Sequence, residues 1–297
     1  MADTPEISVV IPHYGDPALA NQLIDDLMVT RGGDGLELIV VDDASPVPFP
    51  ERAAVRTIRR PVNGGFGAAV NSGADVARGK HLVILNSDLR VGETALADWL
   101  SAASSLQPAL TGPSCHDGQT HGEGRRFPTV LGISVLWLRP AGRLLHQPWF
   151  MRLVGHDPRS RSGEITAVDW VSGAAMAVPR EVFQALGGFD PRFRMFSEEV
   201  DLQRRCQVAG VPRYFIGTVQ LSHVGGASTD PAQATEWLMQ GLHRYFGKWG
   251  GRRRLQVGLT LATIINFAWN MGARLRGTKV NPAVALRREL MLIWRTC

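Results

Sequence analysis

The sequence predicts an α/β protein in which a mainly parallel sheet is flanked by helices and followed by a basic, helical C-terminal appendage. Three observations predict it. Short apolar runs alternate with amphipathic segments through residues 7–85, polar acid-bearing stretches stand directly after several of those runs, and the residues after Leu242 are rich in arginine and lysine, with Glu289 the sole acid. A βαβα order of this kind gives a parallel sheet wrapped by helices.

Taken in order, residues 7–12 (ISVVIP) read as a strand covered on both faces, because the run is apolar and β-branched without alternation. Residues 16–28 carry apolar positions at helical spacing. LELIVV at 36–41 is a second strand and ends in Asp42-Asp43; residues 55–59 form a weaker third; HLVIL at 81–85 is a fourth and ends in Asn86-Ser87-Asp88. Residues 67–77 read as a helix. Residues 113–128 are Gly- and His-rich and polar, an exposed loop. Residues 130–154 are apolar with scattered arginines and read as one or two surface amphipathic helices. Strand-like sequence returns at 168–178, a short helix at 180–186, a helix from Ser197 to about 210, and a strand at 214–217. The division falls after residue 235: 1–235 is the α/β domain and 236–297 the basic amphipathic helical region.

With 297 residues, 44% apolar and 20% charged, the chain has the composition of a folded globular protein. A net charge of +5 gives no global attraction to nucleic acid, and the basic tail is a local field on a balanced body. Cys115, Cys206 and Cys297 are distant and odd in number, which speaks against a disulfide framework or a thiolate zinc site and fits a reducing cytoplasm. The N-terminus shows no basic-then-apolar leader pattern. No apolar stretch reaches the roughly 18–20 residues of a spanning helix; the nearest, 255–269, is interrupted by Gln256 and Asn266.

Five polar constellations could carry chemistry, and each has a structural alternative. Asp42-Asp43 at a strand end could accept from a base and from ribose hydroxyls, or could simply shape a turn. The glycines of 63–67 let the backbone approach an anion at a helix start; a dinucleotide fingerprint is excluded, since Val70 occupies its third glycine position and the motif does not follow the first strand. Asp88 could bind a hard cation. Glu198, Glu199 and Asp201 suit a helix N-terminus with Ser197 as cap and Asp201–Arg205 as an i,i+4 pair, but a carboxylate there could equally be aimed at an acceptor hydroxyl. His223, entering a Gly/Ser-rich segment (224–228) able to open and close over a ligand, could complete a metal site with Asp88.

The succession ISVVIPHYG, IVVDDASP, NGGFGAAVNSGADVARGKHLVILNSD, WVSGAAMAVPREVFQALGGFDPRFRMFSEEVDLQRR and SHVGGAS resembles the family 2 glycosyltransferases over residues 7–230, most of all the branch containing bacterial rhamnosyltransferases that build cell-wall and polysaccharide linkers. The resemblance implies a GT-A fold, a nucleotide-binding sheet and an inverting transfer. Position by position it implies that Pro12, His13 and Tyr14 contact the base, that Asp42 pairs with a uracil or thymine with Asp43 beside it, and that Gly67 and Asn71 line the nucleotide. Asn86, Ser87 and Asp88 stand in place of a D-x-D-like motif, with Asp88 the metal ligand and His223 a second one. Trp170, Ser172 and Gly173 face the donor sugar and acceptor. Glu199 is the expected base, and Glu198 is the alternative, since the pair stands where the family has Glu-Asp. The implied cofactor is a divalent cation, Mg²⁺ or Mn²⁺. The implied partners are a nucleoside-diphosphate sugar, with dTDP-rhamnose favoured over UDP-hexose or UDP-galactofuranose, and a glycan or polyprenyl-diphosphate-linked acceptor in cell-envelope polysaccharide synthesis. Beside this stand a nucleotidyltransferase and an inactive nucleotide-sugar-binding protein. The basic, Trp-containing tail and residues 130–154 read either as peripheral contact with anionic lipid at the inner face of the membrane or as a helical cap on the catalytic domain with a solvated basic face. No sequence feature bears on the oligomeric state.

Overall fold

A computed structural model describes residues 5–30, 33–116, 124–223 and 231–295. Its strands are β1 (Ile7–His13), β2 (Leu36–Asp42), β3 (Val55–Arg59), β4 (His81–Leu85), β5 (Leu89–Arg90), β6 (Leu110–His116), β7 (Ile165–Ala167), β8 (Ala175–Pro179) and β9 (Arg213–His223). Its α-helices are α1 (Ala18–Val29), α2 (Phe66–Val76), α3 (Ala95–Ser104), α4 (Val130–Leu136), α5 (Pro148–Leu153), α6 (Arg180–Ala185), α7 (Glu198–Val208), α8 (Pro231–Trp249), α9 (Arg252–Leu275) and α10 (Pro282–Trp294). The strands form one sheet in the order β3-β2-β1-β4-β8-β6-β9-β5, with β7 added on β9.

The expected parallel sheet is present in β3-β2-β1-β4, whereas the other half is mixed. β8 runs antiparallel to β4, with Ala175 opposite Leu85 and Pro179 opposite His81. The chain therefore enters β8 beside the carboxyl end of β4, and the residues just before β8 lie on the ligand-side edge.

Alternation within each strand sends side chains to two cores. Val9, Ile11, Val83 and Leu85 face α1 and α3, where Leu23, Leu27 and Trp99 close the cluster; Val10, Ile39, Leu82 and Ile84 face α2, α6 and α7 through Val70, Phe183 and Leu202. Gly73 lets α2 lie on β1, since a Cβ there would come within 2.5 Å of Val10 Cγ1. A third cluster joins the helical C-terminus to α7 through Val200, Leu242, Phe246, Leu255 and Ile293. Residue 235, the sequence-based division, falls in the first turns of α8.

Several element expectations change. The strand expected over 168–178 is confined to β8, because Val171 bonds to a helix instead of a neighbouring strand: its N–H donates to Gln203 Oε1 at 2.8 Å and its carbonyl accepts from Gln203 Nε2 at 2.8 Å. The strand expected at 214–217 runs on to His223 past a register shift against β6. Ser197 does not act as the expected cap. It lies in the left-handed region with φ 69° and makes no side-chain cap bond, and the preceding Phe196 is also left-handed with φ 66°, a strained entry into α7. Residues 130–154 form α4, a 3₁₀ segment and α5.

Candidate active site

The carboxyl ends of β1 and β2 set the first wall. His13 pairs in register with Asp42, and Phe49 packs edge-on against the His13 ring at 5.0 Å. His13 is buried, and burial pushes its imidazole below its ordinary pKa, with the Asp42 charge opposing; its Nε2 has no partner among the described residues. Tyr14, one residue on, is half exposed. Asp42 and Asp43 are buried but richly supplied with donors. Asp42 accepts from Ser45 N at 2.7 Å, Phe49 N at 3.1 Å and the Arg59 guanidinium. Asp43 accepts from Gly64 N at 3.0 Å, Gly65 N at 2.7 Å and Arg60. Burial opposes ionisation of Asp42, yet the Ser45, Phe49 and Arg59 donors hold its carboxyl below the usual range.

Asp43 thereby ties down the start of α2. Gly65 has φ 88°, and a Cβ on it would stand 1.8 Å from the Arg194 carbonyl oxygen, so no other residue fits without displacing that chain. Gly67 packs beneath Phe189 and Glu198; a Cβ would reach 3.0 Å from Phe189 Cβ and 3.7 Å from Glu198 Cβ. Asn71 spends its amide on Phe189, donating to its carbonyl and accepting from its N–H, both at 2.8 Å. These residues hold the turn that leads into α7.

The second wall is the turn after β4. Asn86 N donates to Ala174 O at 2.8 Å, fastening it to the segment before β8. Asp88 Oδ1 and His223 Nε2 lie 2.9 Å apart, because Leu89 pairs with His223 across β5 and β9. Gly173 in turn lies against the base candidate: a Cβ there would sit 3.3 Å from Glu199 Cβ. Glu198 is 4% exposed, Glu199 is half-buried, and each has an Oε2 without a partner among the described residues. Burial raises both carboxyls above their ordinary pKa. For Glu198 the Glu199 charge raises it further; for Glu199 backbone N–H donors at Glu199, Val200 and Ser197, and then the nearby Arg125, oppose the rise.

Residues 8–152 match the family model described as Glycosyl transferase family 2. That segment, just under half of the chain, is a family 2 glycosyltransferase domain. The chain is 26% identical over 255 residues to the O-antigen biosynthesis protein RfbC of Myxococcus xanthus, an alignment covering 81% of this chain and 19% of that protein, so the chain spans about a fifth of that relative. It is 26% identical over 229 residues to N-acetylglucosaminyl-diphospho-decaprenol L-rhamnosyltransferase of Mycobacterium tuberculosis, covering 66% of this chain and 70% of the relative. Among solved structures it is similar to GalNAc-T7 with UDP, GalNAc and Mn²⁺ (TM-score 0.56, 15% identity, 80% of this chain and 48% of that one) and to the mannosyltransferase PcManGT of Pyrobaculum calidifontis with GDP-Man and Mn²⁺ (TM-score 0.51, 17% identity, 98% and 70%). At such identities these likenesses speak for the fold, which is of the GT-A type.

From the matched segment into the rest of the chain, contacts run from Asp43 through Gly65 and Gly67 to Glu198, and from Glu199 through Gly173 and Ala174 to Asn86. Asp88 and His223 are joined to each other two residues further on. Pro12 is buried in the β1–β2 ladder beside Val41, and the Ser172 hydroxyl accepts from Ala174 N at 3.2 Å. Trp170 turns to the 125–126 segment, its Nε1 donating to Arg126 O at 2.9 Å. Residues 224–228, expected to form a closing segment, lie outside the described residues. Sequence reading passed over Arg125, which stands 5.8 Å from the Trp170 ring centroid and influences Glu199, and Arg59 and Arg60, which neutralise the aspartates. The arginine doublet 125–126 at the end of an otherwise polar loop was the available signal.

Among the described residues no group of three or more His, Cys, Asp or Glu side chains is placed to hold a metal. Asp88 and His223 nevertheless fit a divalent ion that takes most of its ligands from diphosphate oxygens and water, as Mg²⁺ and Mn²⁺ commonly do in nucleotide sites.

Proposed function

We propose that this chain is an inverting glycosyltransferase that moves a sugar, L-rhamnose from dTDP-rhamnose being the favoured donor, onto a hydroxyl of a glycan or polyprenyl-diphosphate-linked acceptor in cell-envelope polysaccharide assembly. The observation that carries the reading is Glu199: a desolvated carboxylate with a free oxygen, against Gly173, on the edge shared with Asp88 and His223. Its half-buried position favours it over the more enclosed Glu198 as the base.

In the transfer, the acceptor hydroxyl oxygen attacks the anomeric carbon and its proton passes to Glu199. The bond from that carbon to the diphosphate oxygen breaks, its electron pair leaving with the nucleoside diphosphate. A raised carboxyl pKa suits a base that must take a proton near neutrality. Asp88 and His223 would hold a divalent cation, which when bound supplies positive charge to the leaving diphosphate. Tyr14, half exposed, offers a ring to the base. Asp42 and Asp43, already supplied with donors, hold that wall in place and leave few acceptor positions for a ligand.

The test is a donor panel of dTDP-rhamnose, UDP-hexoses and UDP-galactofuranose with a polyprenyl-diphosphate-linked N-acetylglucosamine acceptor, with and without Mn²⁺, products identified by mass spectrometry. Metal-dependent rhamnosyl transfer supports the full reading. Transfer only from a UDP-sugar replaces the donor, and no transfer from any donor overturns the activity.

Membrane contact at the inner face belongs to the same proposal. No helix of the described residues is long and apolar enough to cross a membrane. On α9, Val257, Leu261, Ile264 and Ile265 recur on one exposed face, and α10 exposes Val284, Met291 and Trp294, with Arg253, Arg274, Arg287 and Arg288 exposed on the same two helices. Such a face suits an interfacial helix. Cosedimentation with anionic vesicles that survives the paired change Leu261→Ser and Ile265→Ser counts against it.

A further inference from the structure

Between α4 and α5, beside the active site, lies an open cavity of about 500 Å³, within the range of small-molecule sites. Its walls are apolar where Phe127, Ile133, Trp149 and Leu153 line it, and cationic where Arg126 and Arg152 do. Trp149 is 59% exposed and is held at the rim by an edge-on contact, 5.6 Å between centroids, with the fully buried Phe150. Gly132 allows the walls to close up, since a Cβ there would meet Leu153 O at 2.8 Å.

The charges in this cavity are poorly compensated. Arg126 approaches Asp157 only to 3.8 Å, and that carboxylate is already engaged by Arg159 Nε at 3.0 Å and its terminal nitrogen at 2.7 Å. Arg152 is exposed and has no acidic partner among the described residues. Guanidinium groups facing a shared space suit phosphate oxygens, while the aromatic and aliphatic walls suit a hydrocarbon chain. Phe127 and Ile133 also serve the third apolar cluster, whereas the exposed Trp149 and Arg152 have no such part in folding.

The cavity is coupled to the transfer site by covalent and hydrogen-bonded neighbours. Arg126 O accepts from Trp170 Nε1, and Arg125 N donates to Trp170 O at 2.9 Å. Arg125 acts electrostatically on Glu199, and Gly173, three residues beyond Trp170, packs on it. We propose that this cavity is the acceptor-side subsite and takes an anionic amphiphile: phosphate or diphosphate against Arg126 and Arg152, with the first stretch of an apolar chain against Trp149, Ile133 and Leu153. The inference rests on the transferase reading and names the residues that recognise its lipid-linked acceptor.

The experiment measures binding of farnesyl diphosphate to the full chain, with inorganic diphosphate, farnesol and phosphatidylglycerol vesicles as separate arms. The variants are Arg152→Glu, Arg152→Gln and Trp149→Ala, used after their melting temperatures are shown to match wild type. The expected result is farnesyl diphosphate binding that weakens about tenfold or more in each variant, as loss of a charge-assisted or large apolar contact predicts, with nucleotide-sugar affinity unchanged. Binding unaffected by all three variants overturns the proposal. So does inorganic diphosphate binding as tightly as the farnesyl ester, which marks an anion site without a chain subsite. Loss of vesicle binding without loss of farnesyl diphosphate binding reassigns the cavity to bulk membrane and also overturns it. Failure of the transferase reading is distinct: it shows as absent sugar transfer by wild type while farnesyl diphosphate binding and its sensitivity to Arg152 persist.

Discussion

Two pairs of adjacent acids, Asp42-Asp43 and Glu198-Glu199, flank the same edge of the sheet and behave in opposite ways. Burial does not separate Asp42, Asp43 and Glu198, which are 0%, 4% and 4% exposed, and Glu199 is half-buried beside them. Donors do. The aspartates receive the N–H groups of Ser45, Phe49, Gly64 and Gly65 together with two arginines, whereas each glutamate leaves an oxygen unpartnered among the described residues. A desolvated carboxylate with donors on both oxygens is a structural anion, and one left with an unpartnered oxygen holds a proton more readily. The first pair builds the wall, and it is to the second that the proposed mechanism gives the proton exchange.

The sharpest way to break this contrast is to remove the charge from each pair in turn. Glu199→Gln is expected to lower transfer by about 10²–10⁴-fold while leaving donor affinity and melting temperature close to wild type; initial rates and calorimetry check it. Glu198→Gln should cost far less activity and raise stability at neutral pH, because it relieves a buried carboxylate. If Glu198→Gln carries the larger rate loss, the roles within the pair are reversed. Asp42→Asn should do the opposite of Glu199→Gln and act chiefly on stability. Losing charge-assisted bonds at a buried site costs about 1.5–3 kcal/mol, read as a shift in the urea midpoint with unchanged m-value.

Much of this arrangement was legible in the sequence. The runs ISVVIP, LELIVV and HLVIL announced β1, β2 and β4, and in parallel sheets the acids at such strand ends fall on one edge by topology alone. The Asp201–Arg205 pair formed as its spacing required, at 3.0 Å. What differs between the two acid pairs was not legible, because the donors to Asp43 come from Arg60, Gly64 and Gly65, and local spacing does not say which loop will fold back. The same holds for Val171, whose backbone is claimed by Gln203 thirty-two residues away, so an apolar run that reads as strand becomes a loop. Arg125 was hidden in a polar segment because a cation's value depends on what it faces.

Acidity gives a second contrast, with opposite signs. The Asp42 carboxyl is held low, so its contribution is present above the ordinary Asp value of about 3.9 and is lost as pH falls below it through the folded value. The Glu198 carboxyl is raised, so its stabilising contribution is complete below the ordinary Glu value of about 4.3 and is lost as pH rises through the folded value. Denaturation from pH 3 to 8 should therefore show wild-type stability climbing out of the acid range and then sagging. Glu198→Gln is expected to remove the sag while keeping the acid limb. An unchanged sag in that variant would mean another buried group is responsible.

The smallest effect expected is at Arg59, and it tests whether backbone donors or the guanidinium dominate the first pair. The Arg59 side chain is 43% exposed, so solvent screens its charge and the pair is worth about 1 kcal/mol or less. With Arg59→Ala, Asp42 keeps Ser45 N and Phe49 N, and its carboxylate remains satisfied. Arg59→Ala should thus destabilise much less than Asp42→Asn, and the double variant should add little to Asp42→Asn alone. A loss from Arg59→Ala as large as that from Asp42→Asn would place the anion's stability in the guanidinium, and the wall would then owe its rigidity to a surface ion pair instead of to the loop backbone.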